Sequence, residues 1–177
     1  MTEPHPAEPA DLKPVLPDEP LPAEIQAAAF FLADHAVVEN GKLYVNGGFW
    51  NQLYSSAYPV ARAFGVAAVL HIPWYRHHEA HNFAITFEDA DGHELAARFE
   101  GQFRVGTAPN MRVGDFTIMP VAALATNFVL DRPGDYSALL AVDDRELARW
   151  RFRAVEAAEP MPGTQTGPGG GPDGGES

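Results

Sequence analysis

The chain has 177 residues, a formal charge of −12 and no cysteine. That length suits a single domain. The lack of cysteine excludes disulfides and thiolate chemistry, and an acidic chain without a basic run is a poor candidate for nucleic-acid binding.

The two ends differ from the middle. Residues 1–24 hold seven prolines, six acidic residues and one Lys, and residues 157–177 are mostly Gly, Pro, Ser, Thr and acidic residues. Neither stretch can bury enough apolar surface to offset the entropy of ordering, so both are predicted to be disordered tails. They carry −5 and −3 of the charge, which leaves −4 for a folded domain over residues 25–156. The first residues lack a basic segment followed by an apolar one, so no secretory signal is expected. No apolar run reaches membrane-spanning length. The expectation is a cytoplasmic protein that contacts neither membrane nor nucleic acid.

Ala27 to Asp34 reads as a first buried strand. Val37 to Val45 follows, with Asn40-Gly41 between apolar runs, the strongest hairpin signal in the chain. Gly47-Gly48 suits a bulge or a close backbone approach. Phe49 to Pro59 has many aromatics and no clean period, and is expected to be a long loop. Val60 to Ile72 is alanine-rich, but Gly65, a closing Pro73 and the β-branched Val66, Val69 and Ile72 favour a strand. Pro73 to His81 reads as a second loop. Phe83, Ile85 and Phe87 alternate along the next strand, Asp91-Gly92 turns the chain, and Leu95 to Val105 returns. Thr107 to Gly114 is a connection. Phe116 to Leu130 is expected to hold a strand or two, with Pro120 at an edge or bulge.

Asp131-Arg132-Pro133-Gly134 is a turn, since Pro133 presets φ and Gly134 tolerates positive φ. Tyr136 opens the next strand, Asp143-Asp144 turns tightly, and Leu147 to Val155 closes the fold. On that last strand Leu147, Trp150 and Phe152 supply apolar bulk, while Arg149, Arg151 and Arg153 share the opposite face. A Tyr placed directly after a turn can bury its ring and bond its hydroxyl back to the preceding backbone, as at the corner of immunoglobulin-like folds. Eight or nine short strands joined by turns therefore predict an all-β fold, an immunoglobulin-like antiparallel β-sandwich.

Four segments occur in order: DHAVVENGKLYVNGGFW (Asp34 to Trp50), IPW (Ile72 to Trp74), FEDADG (Phe87 to Gly92) and RPGDY (Arg132 to Tyr136). Together they resemble a family of small, mostly actinobacterial proteins, a domain of unknown function with a β-sandwich fold. The resemblance spans roughly Phe31 to Val155. Its motifs are turns and strand ends, so it implies a fold and brings no catalytic residues.

Three groups of side chains can carry function. His77, His78 and His81 share one loop with Glu79. Imidazoles and a carboxylate suit zinc, although HHExH is not the helical HExxH pattern, and a polar loop on the sandwich rim explains the same residues. Trp50, Tyr54 and Tyr58 lie in one aromatic loop and Trp74 and Tyr75 in the other. If the loops share an end of the sandwich, their rings can stack a ligand or a partner; otherwise they plug the open end of the core. The arginine stripe can bind an anion or pair across strands with Glu88, Glu94 or Glu100. Ser55, Ser56 and Ser137 sit in no nucleophile elbow, and no phosphate-cradling glycine loop is present. These features favour a non-catalytic interaction module that binds a protein or small ligand through the aromatic loops and uses no cofactor. The alternatives are a small zinc-dependent enzyme at His77, His78 and His81, and a subunit of a homo-oligomer that pairs strand edges.

Overall fold

Asn40 and Gly41 turn the chain as their residue types allow. Both have positive φ, 51° and 72°, which a two-residue type I′ hairpin turn requires. The computed structural model describes residues 24–157. Apart from Glu24 and Ala157, the tails expected to be disordered lie outside the described residues.

The turn joins β1 (Gln26–Glu39) to β2 (Lys42–Gly48). Then come β3 (Gln52–Ser55), β4 (Val60–Pro73), a 3₁₀ turn at Trp74–Arg76, β5 (Ala80–Asp89) and β6 (Glu94–Arg104). The series ends with β7 (Phe116–Leu130), β8 (Gly134–Val142) and β9 (Arg145–Glu156). The protein is all-β. Its strands form two sheets, ordered β2-β1-β4-β7 and β3-β9-β8-β5-β6, an arrangement compatible with an immunoglobulin-like sandwich. Neighbours pair antiparallel except β3, which runs parallel to β9.

The inner faces share one core. Leu32, Val66, Leu70 and Ile72 come from the first sheet, and Ile85, Phe87 and Leu140 from the second, all fully buried. At its centre the rings of Phe64, Phe87 and Phe128 meet edge to face, with centroids 4.7 to 5.9 Å apart. That geometry suits the ring quadrupoles. The alanines of β4 are explained by its place between two strands in the sheet, where one face packs on the core and the other is also covered.

That covering is the hairpin itself. β1 pairs with β4 as far as Ala33–Gly65 and then crosses the outer face of its own sheet. A Cβ on Gly65 would lie 2.5 Å from the backbone nitrogen of Ala36, so the crossing needs glycine. A second small core results, with Phe31, Ala33, Ala36 and Ala67 buried, and Leu43 of β2 and Ala122 of β7 packed against them.

One local feature differs from the sequence expectation, and two others are made specific. Phe49 to Pro59 is not all loop, because β3 lies within it. Its alternation, Leu53 and Ser55 buried and Gln52 and Tyr54 exposed, is too short to stand out from sequence. The chain switches sheets here: Phe49, with φ of 67°, donates its N–H to Leu32 at 2.9 Å, and Arg153 of β9 donates to the Asn51 carbonyl at 2.8 Å. Phe116 to Leu130 is one strand of 15 residues. It tolerates Pro120 because β7 is a sheet edge, where a missing donor is harmless. Leu147 lies in a bulge, since Leu140 pairs with Ala148 and Ala141 with Glu146. The extra residue sets Trp150 and Phe152 inward and Arg149, Arg151 and Arg153 outward.

Candidate functional site

Where β1 leaves β4, residues 62–64 of β4 lose their neighbour on that side, and the β2–β3 crossover passes nearby. A cleft of about 490 Å³ opens there, lined by Asp34, Trp50, Gln52, Leu53, Arg62 and Phe64 over Gly47 and Gly48. Trp50 is half-buried. Its ring stands edge-on to Phe64 at 5.6 Å and to Phe152 at 6.2 Å, and its carbonyl accepts the Trp150 indole N–H at 3.0 Å. Its own indole N–H is buried without an acceptor. An unpaired buried donor costs about 1–3 kcal/mol.

Asp34 reaches the cleft because Gly47 has no side chain. A Cβ there would sit 2.0 Å from Asp34 Oδ2, and Gly47 has φ of 60°. Asp34 has no hydrogen-bonding or ionic partner among the described residues. Across the cleft, Arg62 donates to the Tyr54 carbonyl at 3.1 Å. An open carboxylate, a guanidinium, an amide and an aromatic wall therefore converge, the mixture of apolar surface and few polar groups that marks ligand pockets.

The predicted aromatic residues divide between two places. Tyr54 is 57% exposed, and its hydroxyl donates to the Gln52 side chain. Tyr58 is half-buried with a buried, unpartnered hydroxyl; burial, and next the Tyr136 charge, push its pKa up. Trp50, Tyr54 and Tyr58 all lie at the Val60 end of β4. Trp74 and Tyr75 lie at the Pro73 end, on the order of 30–40 Å away at the rise of an extended strand. Trp74 is half-buried and its backbone N–H donates to Asp115 at 2.9 Å, while Tyr75 is 50% exposed. The two aromatic loops do not share an end, so they make two surfaces.

His77 and His78 lie in the loop before β5, whereas His81 is the second residue of β5 and not part of that loop; together they hold the loop in place. His77 is 6% exposed and meets Thr107 Oγ1 through Nδ1 at 3.0 Å and Thr117 Oγ1 through Nε2 at 3.2 Å. His78 is exposed, with Nε2 at 3.2 Å from the same Thr107 hydroxyl. His81 is 1% exposed; Nδ1 faces Asp143 Oδ2 at 2.7 Å and Nε2 the Arg76 carbonyl at 3.1 Å. The ring nitrogens of His77 and His81 are thus all engaged within the protein. Burial pushes the Asp143 pKa up, but hydrogen bonds from His81 and the Asn82 N–H, with the charges of His81 and Arg76, outweigh it and hold the carboxyl below its ordinary value. Among the described residues, Asp89, Asp91 and His93 bring possible ligand atoms within 4.8 Å of one another, and Arg132 pairs with both carboxylates.

The arginine stripe lies on the outer face of the second sheet, in a shallow groove of about 550 Å³. Arg149 pairs with Glu88 and Glu146, and Arg153 with Asp135. Glu94 and Glu100 pair instead with Arg98. Sequence reasoning does not reach Asp34 and Arg62. They lie 28 positions apart, and only the crossing of β1 over β4 brings them to one cleft.

No curated protein matches this chain. Among solved structures, one similar chain is the Pseudomonas fluorescens alkylpurine DNA glycosylase AlkC bound to DNA containing an abasic site analog. It is 12% identical, with a TM-score of 0.37. The match covers 71% of this chain and only 30% of the glycosylase, a likeness too slight to bear on activity. A model for a family of unknown function, DUF6941, matches residues 28–155. That span runs from β1 to the penultimate residue of β9, and the chain belongs to this family.

Proposed function

We propose that the protein is a non-catalytic binding module that takes a small ligand or an extended peptide in the cleft beside Trp50. The observation that carries this reading is the Trp50 indole N–H, buried without an acceptor in the wall of a cleft that also holds the open carboxylate of Asp34. A ligand carbonyl supplies the missing acceptor after a small tilt of the ring, and the gain is the penalty that the empty protein bears. Asp34 and Arg62 then select a ligand that carries both a positive and a negative or strongly polar group. The wall beside them, Trp50 with Phe64 and Leu53, gives apolar contact area at low entropy cost.

The test is a fragment and dipeptide screen read on the three tryptophan indole N–H resonances. Zwitterionic compounds are expected to move the Trp50 signal saturably while Trp74 and Trp150 stay still. Ala63→Phe, which fills the cleft from an exposed position, is expected to abolish the response, and Asp34→Asn to weaken it. A Trp50 resonance that no compound moves, or that moves equally in Ala63→Phe, overturns the reading.

A further inference from the structure

The groove on the outer face of the second sheet meets that cleft at Gln52, which lines both, and one feature of it is unexplained by internal pairing. Arg149, Arg151 and Arg153 alternate along β9 and project to the same side. The outer two are fixed. Arg153 makes a forked contact with Asp135, 2.6 and 3.2 Å, and Arg149 is held by Glu146 at 2.9 and 3.0 Å and by Glu88. These bonds pull the Asp135 and Glu146 carboxyls below their ordinary pKa. Arg151, between them, has no ionic or hydrogen-bonding partner among the described residues, and neither has the hydroxyl of Ser137. The two face each other across β8 and β9, and Glu88 extends the same cross-strand row.

We propose that Arg151 and Ser137 form a docking point for a single carboxylate, presented by an acidic side chain of a partner peptide. Every carboxylate lining the groove already has a cation: Glu88 has Arg149, Asp135 has Arg153 and Asp89 has Arg132. Arg151 is the charge left over, and it is flanked by cations that are already neutralised. A planar guanidinium takes a carboxylate in a fork, two parallel N–H donors to two oxygens, and the Ser137 hydroxyl adds a third donor beside it. The neighbouring carboxylates set the upper limit on ligand charge. A phosphate dianion would face Glu88 and Asp135 at short range, and a polyanion would meet a chain of net charge −12. One carboxylate gains the attraction with the least repulsion. Such a contact is exposed and therefore weak alone, with affinity in the millimolar range.

The experiment uses the full chain and two short blocked peptides of Gly and Ser that differ at one central position, Glu in one and Gln in the other. The readout is the Arg151 Nε–H resonance, assigned by its loss in Arg151→Lys. The Glu peptide is expected to shift it saturably, the Gln peptide to leave it in place, and Ser137→Ala to weaken the response several-fold. Raised salt should reduce binding. Arg151 is exposed, so Arg151→Lys is expected to melt like the parent. An equal response to both peptides, a shift that appears only at the paired Arg149 and Arg153, or no shift at all overturns the proposal. The last case includes a guanidinium already occupied by acidic residues of the chain's own termini. Movement of the Trp50 indole signal with the Arg151 signal silent separates the cleft from the groove.

Discussion

Tyr136 concentrates the argument at the scale of one residue. Its ring is 4% exposed and stacks on Phe152 with centroids 5.6 Å apart. Its hydroxyl donates to the Arg132 carbonyl at 2.8 Å. Burial above all pushes the Tyr136 pKa up, so the hydroxyl is a donor throughout the physiological range. Tyr136→Phe keeps the ring and orphans a backbone acceptor, and is expected to cost about 1–3 kcal/mol in urea melts. Tyr136→Ala is expected to cost about 3–5 kcal/mol, as for other large aromatic truncations. Arg151→Ala, on the wet face, should cost less than about 0.5 kcal/mol. A neutral Tyr136→Phe together with a severe Arg151→Ala would reverse the assignment of inner and outer faces. Asp143 gives a second test, in pH. Its folded pKa is lowered, so its stabilising effect is present above the ordinary carboxylate pKa of about 4 and fades as pH falls through the folded value. Asp143→Asn should therefore melt below the parent at neutral pH. The gap should close in acid, where the parent carboxyl is itself protonated. A gap that stays constant to low pH would show that the charge of Asp143 is irrelevant.

At the scale of the element, the hairpin of β1 and β2 carries the prediction. Its turn is local chemistry, two residues of positive φ, and is visible from sequence. Its path is not. The distal half of β1 lies over β4 with Ala36 against Gly65, and a methyl there would meet backbone rather than the end of a flexible side chain. Gly65→Ala must displace the crossing strand, and is expected to cost about 1–3 kcal/mol or more, the range of an overpacked core. Gly92→Ala is a useful control. It has φ of 80° with nothing within 4 Å, so it should show only the left-handed backbone penalty of about 1–2 kcal/mol. If Gly65→Ala also splits the cleft signals at Trp50, the hairpin crossing positions the cleft. A Gly65→Ala variant as stable as the parent would mean that the hairpin lies loosely on the sheet.

At the scale of the whole molecule, the described strands of both sheets all lie between Gln26 and Glu156. The family match falls inside the same limits, residues 28–155. A fragment of residues 24–157 is therefore expected to melt as cooperatively as the full chain and at the same denaturant midpoint, within error. A fragment that loses its cooperative transition would show that the remaining residues contribute to the fold. Among the described residues no helix is long and apolar enough to cross a membrane.

The sequence by itself determined the strand class, the turns and the faces. Asn40-Gly41, Asp91-Gly92 and Asp143-Asp144 fold locally, because each needs only its own backbone preferences. The alternation of Arg149, Arg151 and Arg153 with Trp150 and Phe152 separates a wet face from a dry one by the two-residue period of a strand. Tyr136 is legible for the same reason, since its hydrogen bond closes over four residues. Tertiary structure alone decided which residues meet. The cleft joins Asp34, Trp50 and Arg62, and the unpaired state of Arg151 depends on Glu88 choosing Arg149 across 61 positions. Such contacts follow from strand order and from the path of a crossing hairpin, which depend on the packing of the whole chain. A local period fixes which face a side chain occupies and leaves open what lies opposite it.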